Sequence, residues 1–283
     1  MTRLLLAGLA LGLAGCSLIE TTYNQSPFLL QWWLNRQFDL NSEQKHALKA
    51  ELRGLQAWHR QHQLPQVNQS VLGLIALARQ DISVDQTCGF QSEVWSSLTV
   101  LAQQATTRLA PLALMLKAEQ ITHLRKHFDE ENLKWREEWL DGSEEDRLQR
   151  RFKRALDRVE DYYGHLDASQ QKMLLEVLRR SPYNPQTAWQ ERLRRQADVV
   201  DTLDRIRLEQ PPQPEVQRRL LDLSTRALNP PVVAHRQHLD QNAAYLCAAT
   251  SRVHNSMQAE QRQKAMNKLG QQQQALARLL KGG

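Results

Sequence analysis

Four copies of one short pattern constrain this chain more than any other feature. Leu40, Gln44 and Leu48 follow one another at intervals of four, as do Leu116, Gln120 and Leu124, and again Leu166, Gln170 and Leu174. A degenerate fourth copy reads Met257, Gln261 and Ala265. Asn41 and Asp167, just after the first leucine of their copies, suit a helix N-cap, whose side-chain oxygen accepts from the free amides of the first turn. The glutamine three residues later stands where a capping-box side chain reaches back to the cap amide. The leucine before the cap and the one four after the glutamine can close over each other. Each copy therefore predicts a helix start, and the set predicts an all-α chain.

The beginning of the chain reads as a targeting segment. Arg3 supplies a positive n-region, and the apolar run over residues 4–13 has the length of a signal h-region but is too short to span a bilayer. Leu13-Ala14-Gly15-Cys16 then matches the lipobox of bacterial lipoproteins, so cleavage after residue 15 exposes Cys16 for acylation. By resemblance to the sorting rule of such lipoproteins, Ser17 favours the outer membrane over the inner. We thus expect a signal peptide over 1–15, a polar lipidated tether over 16–25 and a helical domain over 26–283, lipid-anchored on the periplasmic face.

Cleavage removes Arg3 and no acid, which turns the formal +6 into +5. From Ser224 onward eight Lys and Arg stand against Asp240 and Glu260, so this tail carries the excess and the remaining mature chain is near neutral. A basic tail can lean on lipid phosphates. Here it is diluted and lacks aromatic interleaving, so nucleic acid is not expected as a partner. Besides Cys16 the chain has only Cys88 and Cys247. An oxidising envelope suits a bond between them. It would close a loop of about 160 residues, to which the chain-entropy account assigns roughly 5 kcal/mol. Two buried free thiols are the alternative.

Strand signals are scarce, and apolar residues recur at helical spacing throughout. The stripe Leu48, Leu52, Leu55, Trp58 marks a core-facing helix ended at Leu64-Pro65, and Leu148, Phe152, Ala155, Val159 mark another ended by Gly164. A long helix is expected over 112–140, with Pro111 breaking or kinking the chain before it. Short linkers argue against separate domains. The expected fold is a single all-α body of about nine or ten mostly antiparallel helices.

Few residues offer chemistry. His59 and His62 recur as His235 and His238 in an identical His-Arg-Gln-His context, and such spacing puts two imidazoles on one helix face, as a zinc pair needs. No His-Glu-x-x-His element supplies further ligands, and adjacent arginines oppose a bound cation. No nucleophile elbow, phosphate loop or dinucleotide turn occurs. We expect no enzyme activity and no cofactor. Arg147, Arg151, Arg154 and Arg158 rim the buried face of their helix and are candidates for holding an acidic partner segment. Of Trp32 and Trp33 we expect one in the core and one partly exposed, with a seat at the membrane interface as the alternative.

The Leu-cap-x-x-Gln copies resemble the Leu-Thr-x-x-Gln signature of small helical periplasmic chaperones of the spheroplast-protein type, with Asn41, Lys117 and Asp167 in place of threonine. That resemblance implies a partner-binding role for Gln44, Gln120 and Gln170. A wider set is similar to an uncharacterised family of proteobacterial helical lipoproteins: Tyr23, Leu34, Phe38-Asp39-Leu40, Gln44, Trp58-His59-Arg60, Tyr162-Tyr163-Gly164-His165-Leu166, Gln170, Trp189, Arg192 and Gln196. It implies fold and place but no activity. The expectation is a binding or chaperone-like accessory module serving envelope proteins, with metal binding through the histidine pairs as the alternative. Replacing Cys16 by Ala should abolish incorporation of radiolabelled palmitate and leave the signal uncleaved or processed elsewhere; a labelled variant would overturn the lipobox reading.

Overall fold

The computed structural model describes residues 18–282. These form twelve helices and no strand. After α1 (residues 18–24) come α2 (Ser26–Phe38), α3 (Ser42–His62), α4 (Leu64–Leu77), α5 (Val84–Leu114) and α6 (Ala118–Trp139). The chain continues with α7 (Glu144–Tyr163), α8 (Ala168–Arg179), α9 (Pro185–Glu209), α10 (Gln213–Leu228), α11 (Val233–Asn255) and α12 (Ala259–Lys281). The all-α single body agrees with the sequence; the count exceeds nine or ten, and α1 is one of the additions, a helix where a polar tether was expected.

Two of these differences have simple causes. Pro111 does not break α5, which runs through it to Leu114. The expected helix over 112–140 stops instead at Met115–Lys117, where the second copy of the repeated pattern restarts it as α6. Pro65 sits in the first turn of α4, where its missing amide costs nothing, so Leu64-Pro65 opens a helix as much as it ends one. Gly164 closes α7 at φ +75°, a left-handed conformation that calls for glycine.

The four repeated copies are helix starts, and they are paired. Asn41 Oδ1 accepts from the Gln44 amide and Gln44 Oε1 accepts from the Asn41 amide, a full capping box at α3; Asp167 and Gln170 repeat it at α8. In the other two copies only the glutamine half forms, with Gln120 Oε1 accepting from Lys117 N and Gln261 Oε1 from Gln258 N. Across space, Gln44 and Gln120 then join side chain to side chain, with Nε2 to Oε1 distances of 2.9 and 2.8 Å. The second Nε2 hydrogen of each goes to the carbonyl just before its partner's pattern, Met115 O for Gln44 and Asp39 O for Gln120. Gln170 and Gln261 form the same reciprocal pair at 2.8 and 3.0 Å, with Ser256 O and His165 O as the carbonyl partners. All four amides are thus fully satisfied while almost wholly buried.

A hydrophobic cluster surrounds each pair. Leu40, Leu48, Leu116 and Leu124 join Ala110, Val200, Ile206 and Val216 in the larger core built from α3, α5, α6, α9 and α10. Leu166, Leu174 and Met257 join Val253 in the smaller, against Phe152, Val159 and Tyr163 of α7. Cys88 of α5 is bonded to Cys247 of α11, with Cα atoms 5.2 Å apart, which links the two regions covalently.

The expected tether also takes a different form. Its described part, residues 18–25, is helical up to Asn24 and docked: Gln56 Nε2 donates to Tyr23 O, Arg60 Nη2 donates to Asn24 Oδ1 at 2.7 Å, and Arg278 Nε donates to Glu20 Oε1 at 2.7 Å. Cys16 and the signal segment lie outside the described residues.

Because the paired amides are buried, the cost of losing one exceeds that of losing a cap. Gln44→Ala and Gln120→Ala should each destabilise by about 2–3 kcal/mol, since each leaves the partner amide and a carbonyl unsatisfied, whereas Asn41→Ala should cost about 1 kcal/mol. The double variant should cost clearly less than the sum of the singles. Urea denaturation of the four variants decides it, and full additivity would break the pairing argument.

Candidate functional site

Four helix faces converge on an open cleft of about 640 Å³ between α2, α6, α9 and α11. α9 sets its phase. Asn184 caps it by accepting from the Gln186 and Thr187 amides, and Pro185 follows in the first turn. From that start Ala188, Glu191, Arg192, Arg195 and Gln196 fall on one face at i, i+3, i+4, i+7 and i+8. Phe128, Glu131 and Trp135 of α6 oppose them, His235, His238 and Asn242 of α11 form a third wall, and Trp33, Arg36 and Gln37 of α2 complete the rim.

Glu191, only 6 % exposed, anchors the α9 wall. Arg194 donates to both of its oxygens at 2.7 Å, Arg195 Nε donates at 2.7 Å, and His235 Nδ1 at 2.8 Å. Burial favours the protonated carboxyl, but these donors outweigh it and bring the group from 4.5 to about 2. Facing an acceptor-only carboxylate, His235 carries its proton on Nδ1. Arg194 and Arg226 also share Asp198, so the network ties α9 to α10.

Arg192 is different. Its Nε donates to Asn132 Oδ1 at 2.8 Å, and Asn132 and Gln196 hold each other in a reciprocal amide pair at 2.8 and 3.0 Å. No carboxylate lies within ion-pair range of Arg192 among the described residues. Burial pulls its guanidinium below the ordinary value, with Glu131 opposing at longer range. The site therefore fixes a partly desolvated cation that faces open space.

An aromatic ladder backs the cleft. Trp189 stacks on Trp135 at 5.3 Å, Trp135 on Trp139 at 6.3 Å, and Tyr183 meets Trp139 and His238 at 6.0 Å each. Burial raises the Tyr183 phenol against the opposing effect of Arg151, and it lowers His238, with His235 adding to the effect. Donors, an Arg192 without an ion pair and aromatic faces together suit an anionic group carried on an aromatic or apolar body.

The structure distributes the sequence candidates unevenly. Gln44, Gln120 and Gln170 are inside the protein and occupied, which leaves no amide to offer a client. Arg147 donates to Leu140 O and Gly142 O and closes the end of α6; Arg151 lies 5.0 Å over the Tyr183 ring; Arg154 covers Trp139 at 4.5 Å and pairs with Glu138. Arg158 alone of the four stands exposed without such a contact, so the row does not form a rim open to a partner. The histidine pairs separate likewise. His59 bonds Tyr23 at 3.0 Å while His62 stacks on Trp58; His235 serves Glu191 while His238 meets Tyr183 and Asn242. Among the described residues no three His, Cys, Asp or Glu side chains converge as a metal shell. Trp32 and Trp33 both lie at the surface, 54 % and 51 % exposed, against the expectation that one enters the core.

Some participants escaped the sequence reading. Glu191 and Trp135 were not singled out, and Arg192 and Gln196 appeared only as resemblance residues, although their i, i+4 spacing beside Trp189 was visible. Buried His254 is another: its Nδ1 accepts from Tyr163 Oη at 2.8 Å and its Nε2 donates to Gln80 O at 2.9 Å. Burial lowers the imidazole and raises the phenol, so the bridge is made by neutral groups.

The fold and cleft define an all-helical protein with an open cleft walled by aromatic, arginine and histidine side chains. A family profile covers residues 36–229, most of the chain, and the protein belongs to that family, a family of unknown function (DUF6279). The match takes in the first three copies of the repeated pattern and the α9 wall; the fourth copy lies beyond it. No curated protein and no solved structure matches the chain.

The Glu191 network makes an acid-sensitive contribution. A carboxyl lowered to about 2 when folded contributes fully above its ordinary range and loses that contribution as pH falls from about 4.5 toward 2. The loss is on the order of 3 kcal/mol. Urea midpoints at pH 7 and pH 3 should therefore differ more for the wild type than for Glu191→Gln; equal differences would remove Glu191 as the cause.

Proposed function

We propose that this protein is a non-enzymatic binding module, lipid-anchored on the periplasmic face of the outer membrane, that receives an acidic segment of another envelope protein in a chaperone-like or assembly role. Its place rests on the sequence, with n-region, h-region and the Leu13–Cys16 box in order. The binding role rests on one observation above all: Arg192, partly buried, held by Asn132 and Gln196, and left without a carboxylate at the mouth of an aromatic cleft. A desolvated guanidinium is costly unless an anion meets it, and Arg is the side chain best shaped for carboxylate. The cleft takes over the client role that the glutamines, being buried, cannot fill.

A photo-crosslinking residue at Thr187, inside the cleft, tests this in cells. We expect one discrete adduct with an envelope protein, and its yield should fall about tenfold or more in an Arg192→Gln background, since a charge-assisted hydrogen bond is lost. Thermal melting of that variant should stay within a few degrees of the parent. No adduct, or an adduct indifferent to Arg192→Gln, would overturn the reading.

A further inference from the structure

We propose that α1 and α2 together form a membrane seat, a helical ridge that lies in the bilayer interface beside the acylated terminus. The inference rests on the lipid-anchor reading given above. Helical bonds cross the junction of α1 and α2, with Gln25 N donating to Thr21 O at 2.9 Å and Leu29 N to Gln25 O at 3.0 Å; Pro27 lacks an amide, and Tyr23 O accepts from Gln56 instead. At 1.5 Å per residue the path over 18–38 is about 30 Å long. One face of it packs on the body through Tyr23, Leu34 and Phe38. The opposite face, followed at helical spacing, reads Leu18, Thr21, Thr22, Gln25, Phe28, Leu29, Trp32, Trp33 and ends at Arg36, and each of these side chains is exposed. Leu18 is 66 % and Phe28 63 % exposed, alongside the two tryptophans. Phe28, Leu29, Trp32 and Trp33 make up the continuous apolar part of this face, and such a patch left in solvent by a folded body marks a surface meant to be covered.

The occupant is argued from position and composition. Cys16 precedes Leu18 by two residues, at most about 7 Å of chain, so an acyl group there brings this face to the lipid. The docking of α1 by Gln56, Arg60 and Arg278 prevents the body from swinging away on a slack tether. The row holds no acid, and its one charge is Arg36, stacked 5.4 Å from the Trp32 ring and suited to a lipid phosphate. Tryptophan bodies with polar edges are side chains of the membrane–water interface. No described helix is long and apolar enough to cross a membrane, so the geometry is that of a helix lying in the surface plane.

The test uses the full chain, purified from membranes and reconstituted into vesicles of phosphatidylethanolamine and phosphatidylglycerol that include lipid brominated high on the acyl chain. Palmitate labelling and flotation report the anchor; bromolipid quenching of tryptophan emission reports the seat. We expect quenching in the wild type and loss of most of it in a Trp32→Phe/Trp33→Phe variant that still floats, although five other tryptophans remain. A labelled, floating protein with no such quenching overturns the seat and leaves the anchor standing. An unlabelled protein that still floats and is quenched overturns the anchor and keeps the seat, and one that neither is labelled nor floats overturns both. A cross-link from residue 33 to residue 33 of a second copy, with no quenching, assigns the ridge to self-association and also overturns the proposal.

Discussion

The reciprocal glutamine amides are what the rest of the structure depends on. A primary amide has two hydrogens and one oxygen with two lone pairs, and here every one of those valences is assigned. The oxygen takes its own cap amide and the partner's Nε2; the nitrogen gives to the partner's oxygen and to the carbonyl that enters the partner's helix. Two helix starts are thereby fixed in mutual register, deep in a region where an unmet polar group is expensive. Apolar side chains flank both sides of each pair, all leucines save Met257 and Ala265 beside Gln261, so hydrogen bonding selects the register and apolar burial supplies the bulk of the stabilisation. The same device appears twice, once for α3 with α6 and once for α8 with α12.

The cleft inherits its precision from the first of these pairs. Register at the start of α6 sets where Phe128, Glu131 and Trp135 arrive three to five turns later. α9, phased independently by Asn184 and Pro185, must then meet that face at the Asn132–Gln196 amide pair. Glu191 sits behind with its three donors and clamps α9 to α10 and α11. Arg192 is consequently presented on a rigid support, its direction governed by Asn132 and not by a neighbouring acid. Rigid presentation of Arg192 without an ion pair beside aromatic walls distinguishes this cleft from an ordinary charged groove, whose ions neutralise one another and are worth little.

Much of the fold was legible because helix starts are local. Asn41 and Asp167 announce caps within three or four residues, and Gly164 announces an end, so the all-α class followed from neighbours in sequence. What the glutamines bind was not legible. The capping-box partner lies three residues away, but the second valence of each amide is satisfied 76 or 91 residues off, and nothing local distinguishes a solvated Nε2 from a buried one. Periodicity likewise misjudged the arginine row on α7. A helical wheel shows which residues flank an apolar stripe but not that Tyr183 and Trp139 of other elements will cover them. The cystine pairing was open in sequence and became definite only once α5 and α11 were placed side by side. Trp32 and Trp33 ran against expectation because α2 is apolar on both faces, and α3 and α6 cover only one of them.

The spacing of the four copies along the chain also orders events in time. In a polypeptide emerging amino terminus first, the helix starts of α3 and α6 can meet once residue 124 is out, and the larger core has most of its walls before the last third appears. Gln170 has no such opportunity: the oxygen and the carbonyl it needs belong to Gln261 and Ser256, near the very end. Until α12 is released, the start of α8 keeps an apolar neighbourhood and an unsatisfied amide, and Cys88 cannot meet its partner before residue 247 is made. Truncation at the carboxy end therefore removes more than a surface helix. It withholds the closing half of a bond whose first half was made 91 residues earlier, and leaves the smaller core as the part of the molecule most dependent on translation being finished.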